Sequence, residues 1–314
     1  AARWCLAQII SRRRAPFARD IYRKIGGASP LLTETLAQAL AIEAELGDGW
    51  RVFVAMRYWH PFTEEAATDV KAWGADEVVL LPLYPQFSTT TTGSSLTAWN
   101  KAYKGVAKTI CCYPFAEGLI SSHVDLIMKA HKAAGEPGNV RLLLSAHGLP
   151  EKIVKDGDPY QWQCEAMAEM IAGRVPTDWE IVPCYQSRVG PLKWIGPPTE
   201  DEIEKAAKEG KNILIAPIAF VSEHIETLVE LGEEYRLVAE EHGAASYTRV
   251  EALGVHEEFI SMLRDEVLKT MGQDLPIRSC ADSRLCPGDW KNCPNRTAHP
   301  KVGQRANPVR KDVA

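Results

Sequence analysis

No run of about twenty apolar residues occurs in the 314-residue chain, so nothing in it reads as a membrane-spanning helix. Basic residues are outnumbered: 36 Lys and Arg against 41 Asp and Glu leave a net charge of −5, which argues against a nucleic-acid binder. Cysteine is sparse, with eight irregularly spaced residues, unlike a disulfide scaffold, and a reducing cytoplasm is the simplest compartment. The first residues, AARWCLAQIISRRRAPF, lack the long apolar core of a secretion signal. They are basic and partly apolar. A solvated helix end is the reading they favour over a short helix touching a partner or the periphery of the inner membrane.

What is present suffices for a real core. The chain is 46% hydrophobic and long enough for one large domain or two ordinary ones. From Phe17 to Ile42 the pattern is helical, broken at Gly26–Pro30. Strand-like runs follow at Arg51–Tyr58, Glu77–Tyr84, Ala107–Cys112, Val140–Ser145, Glu180–Tyr185, Asn212–Phe220 and, weakly, Tyr247–Ala252. Amphipathic segments separate them, among them Thr63–Trp73, Gln161–Ala172, Glu200–Glu209 and Glu223–His242. Apolar strands alternating with helices predict an α/β fold with parallel sheets covered on both faces. From Gln273 onward the chain is polar and aperiodic and reads as an irregular tail.

One internal repeat is visible. A copy starting at Val52 and a copy starting at Ile181 share a strand, an aromatic and basic loop, and a Pro-x-Thr-Glu helix start. Each then has a second strand, a proline and a Ser-led turn. Thr63 to Pro82 spans 19 residues and Thr199 to Pro217 spans 18. The repeat predicts two similar halves facing a cleft, residues 1–118 and 119–274, with a cysteine-containing tail over 275–314. The second copy is preceded by Val140–Ser145, for which the first has no counterpart, so an N-terminal strand is expected to be missing from the first half.

Chemistry concentrates at strand ends, where open α/β sheets place their ligands. Ile213–Phe220 ends in a turn at Val221-Ser222, followed by Glu223, His224, Glu226 and Glu230. Three of these acids at i, i+3 and i+7 share a helix face. Their mutual repulsion would be relieved by a metal or by shared protons, although a capped, acid-rich helix start is also a purely structural device. His147 closes the run Val140–Ser145 on a Gly-containing turn. Tyr84-Pro85-Gln86-Phe87-Ser88-Thr89 leads a hydroxyl-rich turn suited to an anion, but without the lysine or spacing of a nucleotide loop. Arg57-Tyr58 and Lys193-Trp194 offer flat apolar surfaces and cations, which suits a large planar anionic ligand.

The segments SAHGLP, GDPY, QFSTTTTGSS, GPLKWIGP, PIAFVSEHIETL and YRKIGGASP occur in the order found in ferrochelatases, and the chain resembles that family from about Arg14 to Leu263. The resemblance implies two Rossmann-like halves of the class II chelatase type around a porphyrin cleft, and insertion of Fe²⁺ as substrate into a porphyrin to make haem. It implies His147 and Glu226 as the central proton- and metal-handling pair, backed by Glu223, His224 and Glu230. Arg57, Tyr58, Tyr84, Gln86, Ser88, Trp194 and Phe220 are the candidates for lining the porphyrin pocket. Some family members hold a [2Fe–2S] cluster with three C-terminal cysteines and one internal cysteine. Here Cys280, Cys286 and Cys293 would supply the three, with Cys111 or Cys112 favoured for the fourth, against a tail of free thiols or a zinc knot. Alternatives are a chelatase loading cobalt or another metal into a different tetrapyrrole, and a two-lobed binding protein without chemistry. Protoporphyrin versus coproporphyrin, and monomer versus homodimer, stay open at this level.

Overall fold

The architecture follows from how alternate residues of the central strands divide between two apolar faces. In the computed structural model, which describes residues 22–281 and 283–295, β3 (Val140–His147) lies at the centre of an all-parallel sheet. It is flanked by β4 (Glu180–Gln186) on one side, and by β5 (Asn212–Pro217) and then β6 (Ser246–Arg249) on the other. Leu142, Leu144, Leu214 and Ala216 face the main core, built with α4 (Glu117–Ala133) and α6 (Tyr160–Ala172). Leu143, Cys184, Ile213 and Ile215 face a second core under α7 (Thr199–Lys208) and α8 (Tyr235–Glu241). Burial on both faces explains why these strands are almost wholly apolar. Among their polar residues, Arg141 is 1% exposed and lies between Glu180 and Glu209 at the edge of the strand.

The other half is smaller. Its sheet runs β1 (Val79–Leu80), β2 (Lys108–Cys112) and β7 (Ile277–Ser279), again parallel. α2 (Thr63–Trp73) and α3 (Thr92–Ala102) pack on it through Ala66, Ala67, Val70 and Trp99. α1 (Leu31–Leu46) and α9 (Glu257–Met271) pack together, and α9 also crosses β2 and α4. Among the described residues no helix is long and apolar enough to cross a membrane.

The repeat is structural. Met56 N–H donates to Pro61 O at 2.8 Å, and Tyr185 N–H donates to Pro197 O at 2.9 Å. Each contact sits beside an isolated parallel bridge, Met56 to Phe62 and Tyr185 to Pro198, just before α2 or α7 opens on a buried threonine.

Four expectations are corrected. Arg51–Tyr58 is not a strand: apart from the bridge at Met56 it finds no ladder among the described residues, and Glu43 Oε2 takes the Val52 N–H at 2.7 Å instead. Glu77–Tyr84 shrinks to Val79–Leu80, because Pro82 and Pro85 lack the N–H groups that a ladder needs. The tail is not wholly irregular: residues 277–279 pair with β2 and are pinned by the buried Arg278–Glu266 ion pair at 2.6 Å. Glu223–His242 is not one α-helix; Glu226–Glu234 is π-helical and only Tyr235–Glu241 is α. The expectations about the N-terminal stretch up to Ile21 lie outside the described residues, and no strand precedes Val79 among the residues described.

Candidate active site

β3 ends at His147 because Gly148 follows. A side chain at 148 would meet Gln186 O at 2.8 Å and the Trp194 ring at 3.2 Å, so only glycine lets the Trp194 loop close over this strand end. Backbone bonds from Ile195 N–H to Leu149 O and from Glu151 N–H to Lys193 O, both 2.9 Å, fasten that loop.

Across from His147 the π-helix begins with Glu226. His147 Nδ1 lies 2.8 Å from Glu226 Oε2, and His224 Nε2 lies 3.6 Å from Glu226 Oε1. Both rings also pack on Phe220, at centroid distances of 6.2 and 4.6 Å. Burial works against charge on Glu226, but hydrogen bonds from His147 and His224 prevail and hold its carboxyl well below the usual range. Burial likewise opposes charge on His147, and the hydrogen bond and charge of Glu226, with Glu230 behind, raise it above an ordinary imidazole. With Nδ1 turned to the carboxylate, Nε2 is left as the ring's second functional atom.

The wide turn of a π-helix brings residues four apart nearly into line. Glu230 therefore stands behind Glu226, and Ser187 Oγ reaches both carboxylates, at 3.2 Å to Glu226 Oε2 and 2.7 Å to Glu230 Oε2. Glu230 is held further by Ser187 N–H at 2.9 Å, the Gln186 amide at 3.0 Å and the Tyr235 hydroxyl at 2.9 Å. Ser187 was not among the sequence candidates. It sits in the left-handed region at φ +64°, a conformation rare outside glycine and concentrated at functional sites. In the sequence it is a lone serine one residue past the carboxyl end of β4, with no motif around it.

The other candidates divide. Glu223 does not join the ladder; it pairs with Arg249 at 2.7 Å and accepts from Ala252 N–H at 3.0 Å and from Thr227 Oγ. Glu223 is thereby set apart from Glu226 and Glu230, which share the Ser187 hydroxyl. Arg57 stacks its guanidinium 4.9 Å from the exposed Tyr58 ring and donates to Ser94. Tyr84 lies beside them, its hydroxyl pushed up by burial and by Tyr58, with Arg57 opposing. Trp194 is half-buried. Gln86 and Ser88 are placed differently from expectation, at 1% and 0% exposure. Gln86 donates to Ile218 O at 2.9 Å. Ser88 and Thr89 do bind an anion, but it is the chain's own Asp158: Oδ2 accepts from Ser88 Oγ at 3.0 Å and from Thr89 N–H and Oγ, both at 2.7 Å.

In the tail, Cys286 and Cys293 are near neighbours, and Gln163 Nε2 lies 3.1 Å from Cys286 Sγ and 3.5 Å from Cys112 Sγ. Cys111 Sγ is 3.5 Å from Cys112 Sγ. Cys280 adjoins them through its N–H, which donates to Cys112 O at 3.1 Å. Among the described residues no three His, Cys, Asp or Glu side chains already stand in metal-binding geometry.

Comparison with known proteins identifies the family. The ferrochelatase family model matches residues 1–271. The ferrochelatase of Hyphomonas neptunium is 69% identical over 96% of this chain and 87% of its own length. That of Caulobacter vibrioides is 54% identical over 94% of this chain and 87% of its own. Among solved structures, SirB from Bacillus subtilis with Fe³⁺ superposes with a TM-score of 0.56 at 17% identity, covering 77% of this chain and 91% of SirB, which is a likeness of fold. The chain belongs to the ferrochelatase family, the metal chelatases that insert Fe²⁺ into a porphyrin to form haem.

Proposed function

We propose that His147 and Glu226 form the metallation centre, with Ser187 and Glu230 as the route by which protons leave. The observation that supports this most is the 2.8 Å contact between His147 Nδ1 and Glu226 Oε2, which leaves Nε2 free and its lone pair available. Metallation exchanges two pyrrole N–H protons for one divalent cation. Nε2 accepts a pyrrole proton, and the resulting imidazolium is stabilised by Glu226, the same interaction that raises the His147 pKa. Glu226 also offers an oxygen ligand to the incoming Fe²⁺. The Ser187 hydroxyl lies between Glu226 and Glu230 and has one proton to donate, so it can pass protons along the carboxylate ladder. Arg57, Tyr58, Tyr84, Trp194 and Phe220 would line the macrocycle, the cation facing its propionates. A metal-insertion assay comparing protoporphyrin with coproporphyrin, each with Fe²⁺ and Co²⁺, tests the substrate reading. Preference for cobalt would sink it.

We further infer that the tail pocket is a [2Fe–2S] site held by Cys280, Cys286, Cys293 and the internal Cys112. The fit rests on buried thiols grouped around one amide donor, with Arg284 beside Cys293. The Cys293 thiol is lowered by its Cys286 and Arg284 neighbours against burial, whereas the Cys112, Cys280 and Cys286 thiols are raised, so a cluster would form there with release of thiol protons. Visible absorption from sulfur-to-iron charge transfer in aerobically purified protein tests it, and loss of that absorption in Cys286→Ser locates it.

A further inference from the structure

Asp158 and two residues of α6 grip four consecutive positions, Gln86 to Thr89. Asp158, just before α6, holds Ser88 and Thr89. Gln163 accepts the Phe87 N–H at 2.7 Å, and Met167, one turn on, receives the Gln86 amide at 3.1 Å. Gln86 in turn reaches Ile218 O, two residues before Phe220.

Gln163 uses both ends of one amide. It is fully buried, its carbonyl committed to Phe87 and its NH₂ to Cys286 Sγ and Cys112 Sγ. The tail is fastened at the same place. Asn292 donates from N–H to Gly157 O at 3.0 Å and from Nδ2 to Asp156 O at 3.2 Å. Gly157, at φ +104°, has Lys291 N only 3.0 Å from where a Cβ would sit.

We propose that Gln163 is a positioning residue that couples the sulfur pocket of the tail to the porphyrin cleft, by donating to the Cys112 and Cys286 sulfurs and fixing the Phe87 backbone with the same amide. The proposal rests on the reading of that pocket as a cluster site. N–H donors to ligating sulfurs withdraw charge from a cluster and raise its reduction potential. Any shift of the sulfurs moves the amide, and the amide sets the register of Gln86–Ser88 against the end of β5.

The test compares full-chain wild type with Gln163→Met, which keeps the shape and removes both donor and acceptor. Gln163→Leu, which also removes donor and acceptor but with less bulk, serves should the first variant fail to fold. Spectroelectrochemical titration is expected to show a more negative cluster potential in the variant, with an altered electron paramagnetic resonance signature. Porphyrin KM is expected to rise about fivefold, the worth of one ordinary hydrogen bond, with kcat held. A wild type without iron, sulfide or visible absorption overturns the cluster reading and this proposal together. A wild-type cluster whose potential is unchanged in the variant overturns the role of Gln163 alone. A shifted potential with unchanged KM overturns the coupling.

Discussion

The two copies of the repeat end in Ser-led turns of opposite character. In the first, Ser88 and Thr89 spend their donors on the buried carboxylate of Asp158. In the second, Ser222 is likewise absorbed, donating to Gln38 Oε1 at 2.9 Å, but the chain continues into a π-helix whose Glu226 meets His147. One strand-turn-helix unit has become a fastener between halves and the other a reactive wall. The difference lies in what stands opposite: a fixed internal anion in one case, a histidine with a free ring nitrogen in the other.

The sharpest break in that contrast is chemical. His147→Ala and Glu226→Ala are each expected to lower kcat/KM for iron insertion by about 10³-fold or more while circular dichroism stays native. Near-normal turnover in either variant would remove that residue from the mechanism. Asp158→Ala should do the converse, acting mainly on stability. It leaves the Thr89 and Tyr160 amide donors without their buried acceptor and is expected to cost about 3 kcal/mol by urea titration.

Gly148→Ala sharpens the comparison from the reactive side. Its Cβ would push against Gln186 O and Trp194, with an expected loss of about 1–3 kcal/mol in the same titration and a raised porphyrin KM. Glu223→Gln separates the ladder from its neighbour. It weakens the Arg249 pair by about 1 kcal/mol, yet turnover should stay within about threefold of wild type, because Glu223 is outside the Glu226–Ser187–Glu230 chain. A collapse of turnover would return Glu223 to the relay.

The smallest effect is the pH dependence of the unliganded fold. Glu226 is lowered from 4.5, so its contribution is present above about that pH and is lost as pH falls toward its depressed folded value. His147 is raised from 6.5, so its contribution is complete below that value and is lost as pH rises through its higher folded value. The pair therefore stabilises most between 4.5 and 6.5. Denaturant midpoints across pH 4–8 should show a bulge there in wild type that is absent from the His147→Ala, Glu226→Ala double variant.

Much of this could be read from the chain. Apolar strands buried on both faces announce themselves, and His147 and Glu226 stand at strand ends where ligands bind. Ser187 escaped notice because a lone serine after a strand carries no pattern; its importance comes from a left-handed backbone that aims one hydroxyl at two acids. Asp158 is one residue of the GDPY segment, and only the packing of the two halves makes it the anion for Ser88 and Thr89.

Local sequence thus determined the periodicities, the repeat and the types of residue at each strand end, since these depend on neighbours a few positions apart. Tertiary structure alone decided the rest. It turned a helical pattern into a π-helix, in which Glu226 meets His147 and Glu230 meets Ser187. It drew β7 from a polar tail into the first sheet, because Arg278 finds a buried partner in Glu266. It also placed Gln163 between thiols and cleft, since contacts across 76 and 123 positions of chain form only once the halves have closed.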